Sequence, residues 1–311
     1  ADHEFGTNPC SEIILRSKQF CNLTEVVIRP EDALDEIARK AKLATIMGTL
    51  QATLTDFRYL SRKWKENTEE EALLGVSMTG IMDNPLTGGA AYGNAGWLTA
   101  LKDELVEVNK TYAKKLGIKP SAAITCVKPS GTVSQLVDAA SGIHPRYAPY
   151  YIRRIRQDKN DPLCKALIDA GVPHETDNHN PGAWVFEFPM KAPENALCVE
   201  DITAIEQLEH WQVFDELWCE HKPSVSIYVR EHEWMEVGAW VYENLDKMSG
   251  VSFFPMDDHI YPQSPYSVIT RDEYERMMET FPKSFNLDVI EEDDTTTGSQ
   301  ELACMGGQCE L

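Results

Sequence analysis

Between residues 22 and 280, short apolar runs alternate with longer stretches whose apolar residues recur at helical spacing. This alternation constrains the fold most, because strands alternating with helices build α/β domains with parallel pairings. Residues 8–28 read as a loop followed by a strand. Pro30-Glu31-Asp32 then opens a helix, with Pro in its first turn and acids beside it. Leu34, Ile37, Ala38, Ala41, Ala44 and Ile46 give that helix its buried face, and it ends near residue 54. A short acidic helix is expected over 68–74, followed by a buried strand and turn in LLGVSMTGIMDN. The spacing predicts a long helix over 94–117, ending at Gly117, and a small apolar strand over 121–127. KPSGTVSQL is a loop. Further strands are expected over 149–156, 184–190, 223–229 and 251–256, with helices over 161–170, 199–221, 231–248 and 271–280.

Composition narrows the function. The 311 residues carry a net charge of −21, which repels polyanions, so DNA or RNA binding is excluded as the main role. A single nucleotide can still bind where backbone N–H groups converge. No run of eighteen apolar residues is present, so no membrane span is expected. No basic, apolar leader opens the chain, so a cytoplasmic protein with reduced thiols is expected. The eight cysteines include no CxxC pair, so no structural metal is expected. The chain opens on Ala1 with chemically able residues inside its first ten, and is expected to be a piece of a longer, split or processed protein.

Asn8-Pro9-Cys10-Ser11-Glu12 sets an amide, a thiol and a carboxylate at alternate positions. On an extended loop, a period of two aims Asn8, Cys10 and Glu12 the same way. Cys21 stands eleven residues on, within reach if the chain folds back. A carboxylate beside a thiol raises its pKa, which disfavours thiolate chemistry and suits a thiol that reacts as a hydrogen-atom donor or acceptor. A merely buried cysteine in a strand is the plain alternative. Lys128-Pro129-Ser130-Gly131-Thr132-Val133-Ser134 follows an expected strand. Its glycine, hydroxyls and successive N–H groups suit an anion nest, or else an ordinary Gly-Ser turn. From Asp288 to Leu311 acids, Thr, Gly and Ser dominate without a single Lys or Arg, which reads as a flexible tail. Cys304 and Cys309 sit there with two glycines between them, a pairing suited to thiol–disulfide exchange.

NxCxE with Cys21 resembles the finger-loop motif of ribonucleotide reductases. KPSGTVS and the following SGIHPRYAPYYIRRIR resemble the substrate-phosphate region of the adenosylcobalamin-dependent (class II) branch. The terminal CxxxxC resembles that of its monomeric, triphosphate-using members. The resemblance runs from residue 6 to residue 311. It implies a ten-stranded α/β barrel of two parallel five-stranded halves with a finger loop at its centre. Residues 1–29 would supply the finger loop and following strand, 30–287 the C-terminal half of the barrel, and 288–311 the redox tail. It further implies that Cys10 carries a thiyl radical, Glu12 acts as base on the 3′ hydroxyl, Asn8 holds the ribose and Cys21 supplies reducing electrons. Pro129, Ser130, Gly131, Thr132, Val133 and Ser134 would bind the substrate phosphates, and Cys304 and Cys309 would re-reduce the site. The implied cofactor is adenosylcobalamin. The implied partners are a ribonucleoside triphosphate or diphosphate, thioredoxin or glutaredoxin, and the N-terminal half of the same reductase.

Two other readings stand beside this one. One is a dithiol oxidoreductase working through Cys304 and Cys309, and the other is a non-catalytic nucleotide-binding module. Asp177-Asn178-His179-Asn180-Pro181-Gly182 matches the DxHxxG motif of cobalamin-ligating mutases, but it lacks the accompanying signals and is read as a loop. Cys126, Cys164, Cys198 and Cys219 are read as core.

Overall fold

The computed structural model describes residues 4–88, 95–256 and 262–284, with the side chain of Thr132 excepted, and the backbone of residues 304–305 and 308–309. In chain order the elements begin with β1 (Phe5–Thr7), β2 (Ile14–Arg16), β3 (Asn22–Val27), α1 (Leu34–Gln51), α2 (Arg62–Glu71) and β4 (Leu74–Thr79). There follow α3 (Gly96–Leu116), α4 (Thr132–Leu136), β5 (Tyr150–Asp158), α5 (Pro162–Asp169), β6 (His174–Thr176), β7 (Ala183–Lys191) and α6 (Ala204–Leu217). Then come β8 (Val225–Val229), α7 (Trp234–Glu243), β9 (Val251–Pro255), β10 (Tyr266–Val268), α8 (Arg271–Thr280), β11 (Cys304–Met305) and β12 (Gln308–Cys309). The described residues form two compact units, one from 4–88, 95–146 and 194–256, the other from 147–193 and 262–284.

The first unit is built on parallel strands. β3 pairs with β4, and β8 with β9, both in parallel. The expected strand over 121–127 is reduced to bridges, Val76 with Thr125 and Val127 with Pro223, which link the two pairs into one parallel array. Alternate residues of this array serve different purposes, as the pleat requires. Val26, Leu74, Val76, Met78, Val127, Val225, Ile227, Val229, Val251 and Phe253 belong to one apolar cluster with the buried faces of α1, α3, α6 and α7. Trp211 and Trp218 are fully buried there, and their indole N–H groups donate to the carbonyls of Pro223 and Cys126 at 2.9 Å. Full burial of such side chains contributes roughly 1.5–3 kcal/mol each.

Local chemistry sets the helix ends. Thr203 and Thr270 each accept from the N–H three residues on, while Glu206 and Glu273 accept from the threonine N–H groups, a reciprocal cap at α6 and α8. Asp161 caps α5 with Pro162 at its first position. Gly117 closes α3 with φ +73°. Several expected helices shift, and the one expected over 231–248 is confined to Trp234–Glu243. The acidic one begins at Arg62, not at residue 68. The one expected from residue 199 begins at Ala204, because the Thr203 cap interrupts the apolar pattern.

The second unit corrects the expectation of parallel pairing. Its four strands lie in the order β10-β5-β7-β6 and all pair antiparallel. The reason is legible in burial. β4 is buried at every position, as a strand covered on both faces must be. β5 is mostly half-buried and carries Arg153, Arg154 and Arg156, which need a partly solvated face. Arg154 pairs with Glu187 and Arg156 with Asp177. Asp177 also accepts from the N–H groups of His179 and Asn180, so the DxHxxG stretch is the Asp-capped turn between β6 and β7. Cys164, Val172 and Phe186 form this unit's core.

Cys126, Cys164, Cys198 and Cys219 are buried as expected. No described helix is long and apolar enough to cross a membrane. Among the described residues, no cluster of His, Cys, Asp and Glu is arranged to hold a metal ion.

Candidate active site

The NPCSE motif forms the turn of a β-hairpin, not an extended run. β1 and β2 pair with Thr7 opposite Ile14. The Ser11 N–H donates to the Asn8 carbonyl at 3.0 Å, which makes Asn8–Ser11 a tight turn with Pro9 at its favoured second position. The Asn8 side-chain Oδ1 accepts from the Ile13 N–H at 3.0 Å, and Ser11 closes the turn at φ +63°. Side-chain alternation along 8–12 is therefore lost, because asparagine and proline supply turn chemistry that outweighs the strand pattern. Cys10 stands half-buried in this turn, while Glu12 is 1% exposed.

Cys21 lies just before β3. Burial, then the Glu12 carboxylate, push its thiol up to about 12. Cys126 is fully buried, and its thiol is raised well above the ordinary value by burial, with Cys219, Cys21 and Glu12 adding to it. Gly75 of β4 lies between them: a Cβ there would come 2.4 Å from Leu23 Cδ2, 3.3 Å from Cys126 Sγ and 3.4 Å from Cys21 Sγ. Cys21 and Cys126 thus share the face of the array that points away from the helices. None of the six cysteines at positions 10, 21, 126, 164, 198 and 219 is in a disulfide.

The same array delivers the KPSGTVS loop. The Lys128 N–H donates to Ser77 Oγ of β4 at 3.0 Å, anchoring the start of the loop. Ser130 (φ +65°) and Gly131 (φ +51°) are consecutive left-handed residues. Gly131 has ψ −126°, a conformation reserved for glycine, and nothing lies within 4 Å of where its Cβ would be. The loop is therefore open at Gly131. From beneath, Ser134 Oγ donates to the Gly131 carbonyl at 2.7 Å and meets Ser141 Oγ at 2.7 Å. Gly142 packs so tightly below that a Cβ would lie 2.4 Å from the Lys128 carbonyl oxygen.

Glu12 and Cys21 are thus brought together, and the KPSGTVS loop grows from a segment of the same array. Cys304 lies directly opposite Cys309 in a two-residue antiparallel ribbon. The rest of the tail, 285–303 with 306, 307, 310 and 311, lies outside the described residues. Sequence reasoning missed two features. Cys126, read as plain core, is buried but on the face shared with Cys21. Glu25 sits in the middle of β3 with both carboxylate oxygens buried and without a well-formed hydrogen bond among the described residues. A lone acid inside the apolar run NLTEVVI was the available signal.

No protein-family model matches the chain. Its fold matches that of ribonucleotide reductase catalytic chains. A crystal structure of a B12-dependent (class II) ribonucleotide reductase superposes with a TM-score of 0.76 at 26% identity, covering 91% of this chain and 43% of that one. The alpha subunit of the Actinobacillus ureae class Id enzyme shares the fold more distantly, with a TM-score of 0.50 at 14% identity. In sequence, the adenosylcobalamin-dependent ribonucleoside-triphosphate reductase of Euglena gracilis is 28% identical over 98% of this chain and 42% of its own length. That of Lactobacillus gasseri is 28% identical over 87% of this chain and 40% of its own. The chain is a homologue of the adenosylcobalamin-dependent, class II ribonucleotide reductases, and it spans about two-fifths of the length of these relatives.

Proposed function

We propose that the chain is the C-terminal part of the catalytic chain of an adenosylcobalamin-dependent ribonucleoside-triphosphate reductase. It reduces ribonucleotides to 2′-deoxyribonucleotides when joined to the N-terminal half, and its parallel array is one half of a ten-stranded barrel. The observation that carries this reading is the shared face of the array. A thiol held near pKa 12, a buried carboxylate and an open Gly-Ser loop are set on neighbouring strands and their connections.

The residues divide the work as follows. Cys10, at the hairpin turn, takes the 3′ hydrogen atom of the ribose as a thiyl radical. Glu12 takes the proton of the 3′ hydroxyl as a general base. Asn8 uses Oδ1 to hold its own turn, which leaves its Nδ2 hydrogens to donate to the ribose hydroxyls. Cys21 stays protonated until it is needed, and with a second thiol from the missing half it gives two electrons and two protons. The 2′ hydroxyl then leaves as water and a disulfide remains. Pro129 through Ser134 cradle the phosphates. Cys304 and Cys309 return the disulfide to thiols by exchange and are themselves reset by thioredoxin or glutaredoxin. The chemistry that bound adenosylcobalamin would bring is the one-electron oxidation of a thiol, which fits a site in which the Cys21 thiol is kept neutral. Cys10 is the residue that would receive it.

The test is deoxyribonucleotide formation from cytidine triphosphate by the chain joined to its N-terminal half. Cys10→Ser is expected to abolish the product. Activity retained in Cys10→Ser would leave only the dithiol reading. Nucleotide binding without turnover in the wild-type protein would leave only a binding module.

A further inference from the structure

Glu25 is a half-buried residue whose carboxylate oxygens are buried and which the mechanism above does not use. Its strand register sets it opposite Ser77 of β4, the residue whose hydroxyl anchors the Lys128 N–H. Both its carboxylate oxygens are shut off from solvent, and so is the Ser130 hydroxyl. None of the three has a well-formed hydrogen bond among the described residues. The two groups nevertheless face each other, since Ser130 acts on the Glu25 carboxyl. Ser130 is 5% exposed and held at φ +65°, beside the opening over Gly131.

An ionised carboxylate at this place would oppose a phosphate anion and would also compete for the serine's hydrogen. A carboxylate only accepts, so it turns the Ser130 O–H toward itself and away from the loop's opening. A protonated carboxyl donates instead. The Ser130 oxygen then accepts from Glu25 and is free to give its own hydrogen to a phosphate oxygen. Burial raises the Glu25 pKa, while Ser130 and the Lys128 ammonium oppose that rise. Lys128 is the charged group facing it from the neighbouring segment. Ser77 and Ser130 are neutral, and the Cys21 and Cys126 thiols on the same face are held neutral by their raised pKa values.

We propose that Glu25 is a proton-bearing positioning residue of the phosphate site, whose neutral form orients the Ser130 hydroxyl toward the bound nucleotide's phosphate. This rests on the reading of Pro129–Ser134 as the phosphate loop.

The test is calorimetric binding of cytidine triphosphate in EDTA, from pH 5.5 to 8.5, to the chain joined to its N-terminal half, with wild type, Glu25→Gln, Ser130→Ala and the double variant. The nucleotide's own terminal phosphate titrates in this range, so the informative quantity is the difference between wild type and Glu25→Gln. Glutamine always donates from its amide, so the variant keeps the low-pH affinity of wild type. Wild type weakens relative to it by up to about tenfold for each pH unit above the Glu25 pKa. Ser130→Ala binds more weakly, and adding Glu25→Gln to it changes nothing further. Parallel profiles for wild type and Glu25→Gln would overturn the proposal. So would loss of binding in a Glu25→Gln protein that melts like wild type, or binding that appears only with Mg2+ and needs the carboxylate. Absence of wild-type binding at every pH would remove the phosphate-loop reading, and this inference with it.

Discussion

The Glu12 carboxylate and the Cys21 thiol are electrostatically coupled. The acid lies almost fully buried in the hairpin, and its field adds to burial in holding Cys21 near pKa 12. Burial is the larger cause, so Glu12→Gln should lower the pH at which Cys21 is alkylated without bringing it down to the ordinary 9.0. Mass spectrometry of iodoacetamide-labelled protein across a pH series from neutral to strongly alkaline reads this directly. An unchanged midpoint would break the coupling. The sign for stability follows from linkage. The fold favours the protonated thiol, so its contribution is complete below about pH 9 and is lost as pH rises toward about 12. Cys21→Ser should flatten that part of the pH–stability curve.

Gly142 is the tightest backbone approach beneath the KPSGTVS loop. It combines φ +56° with a Cβ position 2.4 Å from the Lys128 carbonyl oxygen. Gly142→Ala should cost about 2 kcal/mol or more, from the left-handed conformation and the displaced loop together. Urea unfolding gives the energy, and cytidine triphosphate affinity should fall with it. A neutral result in both would mean that the loop tolerates the shift.

Arg146 and Asp83 form a buried ion pair at 2.8 Å, with side chains 3% and 2% exposed. Asp83 also accepts from the Ala140 N–H at 2.8 Å, which ties the segment after the KPSGTVS loop to the turn that follows β4. Arg146→Ala leaves a buried carboxylate unpaired and should cost roughly 3–5 kcal/mol. Replacing both residues by apolar ones of similar size should cost clearly less. Equal losses in chemical denaturation would argue against the pair as the cause.

Cys304→Ser should separate the tail from the chemistry. In the protein joined to its N-terminal half and reduced beforehand, one turnover should survive. Repeated turnover driven by thioredoxin should stop. Rapid-quench counting of deoxyribonucleotide per chain distinguishes the two, and sustained multiple turnover would remove the shuttle role.

Much of this architecture can be read from pattern. Apolar periodicity located α1, α3, α5 and α8 closely, because each pairs a helical stripe with a proline, an acidic cap or a terminal glycine. β7, β8 and β9 stood out as runs rich in β-branched or aromatic residues, and β4 as an apolar run before a turn. What the pattern could not carry was pairing direction. Nothing in Tyr150–Asp158 alone says that its neighbours run antiparallel, since that depends on which face water reaches. The strand over 121–127 was also overstated, because its small residues fit between β4 and β8 with only isolated bridges. At the site, Glu12 and Cys21 were legible as chemistry but not as geometry. The hairpin turn at Asn8-Pro9 outweighed the alternation that suggested an extended loop. Glu25 escaped because its meaning depends on Ser130, more than a hundred residues away.

The split of alternate residues along β3 and β4, between the helix-packed core and the face of Cys21 and Cys126, limits how this protein can evolve. A single inserted or deleted residue inside β3 would carry Glu25 into the helix-packed interior and bring Val26 to the face shared with Cys21 and Cys126. Substitutions there can be sampled one at a time, but length changes cannot. Lineages related to this chain should therefore vary in length within their loops, while the strands between Cys21 and Thr79 keep their residue count.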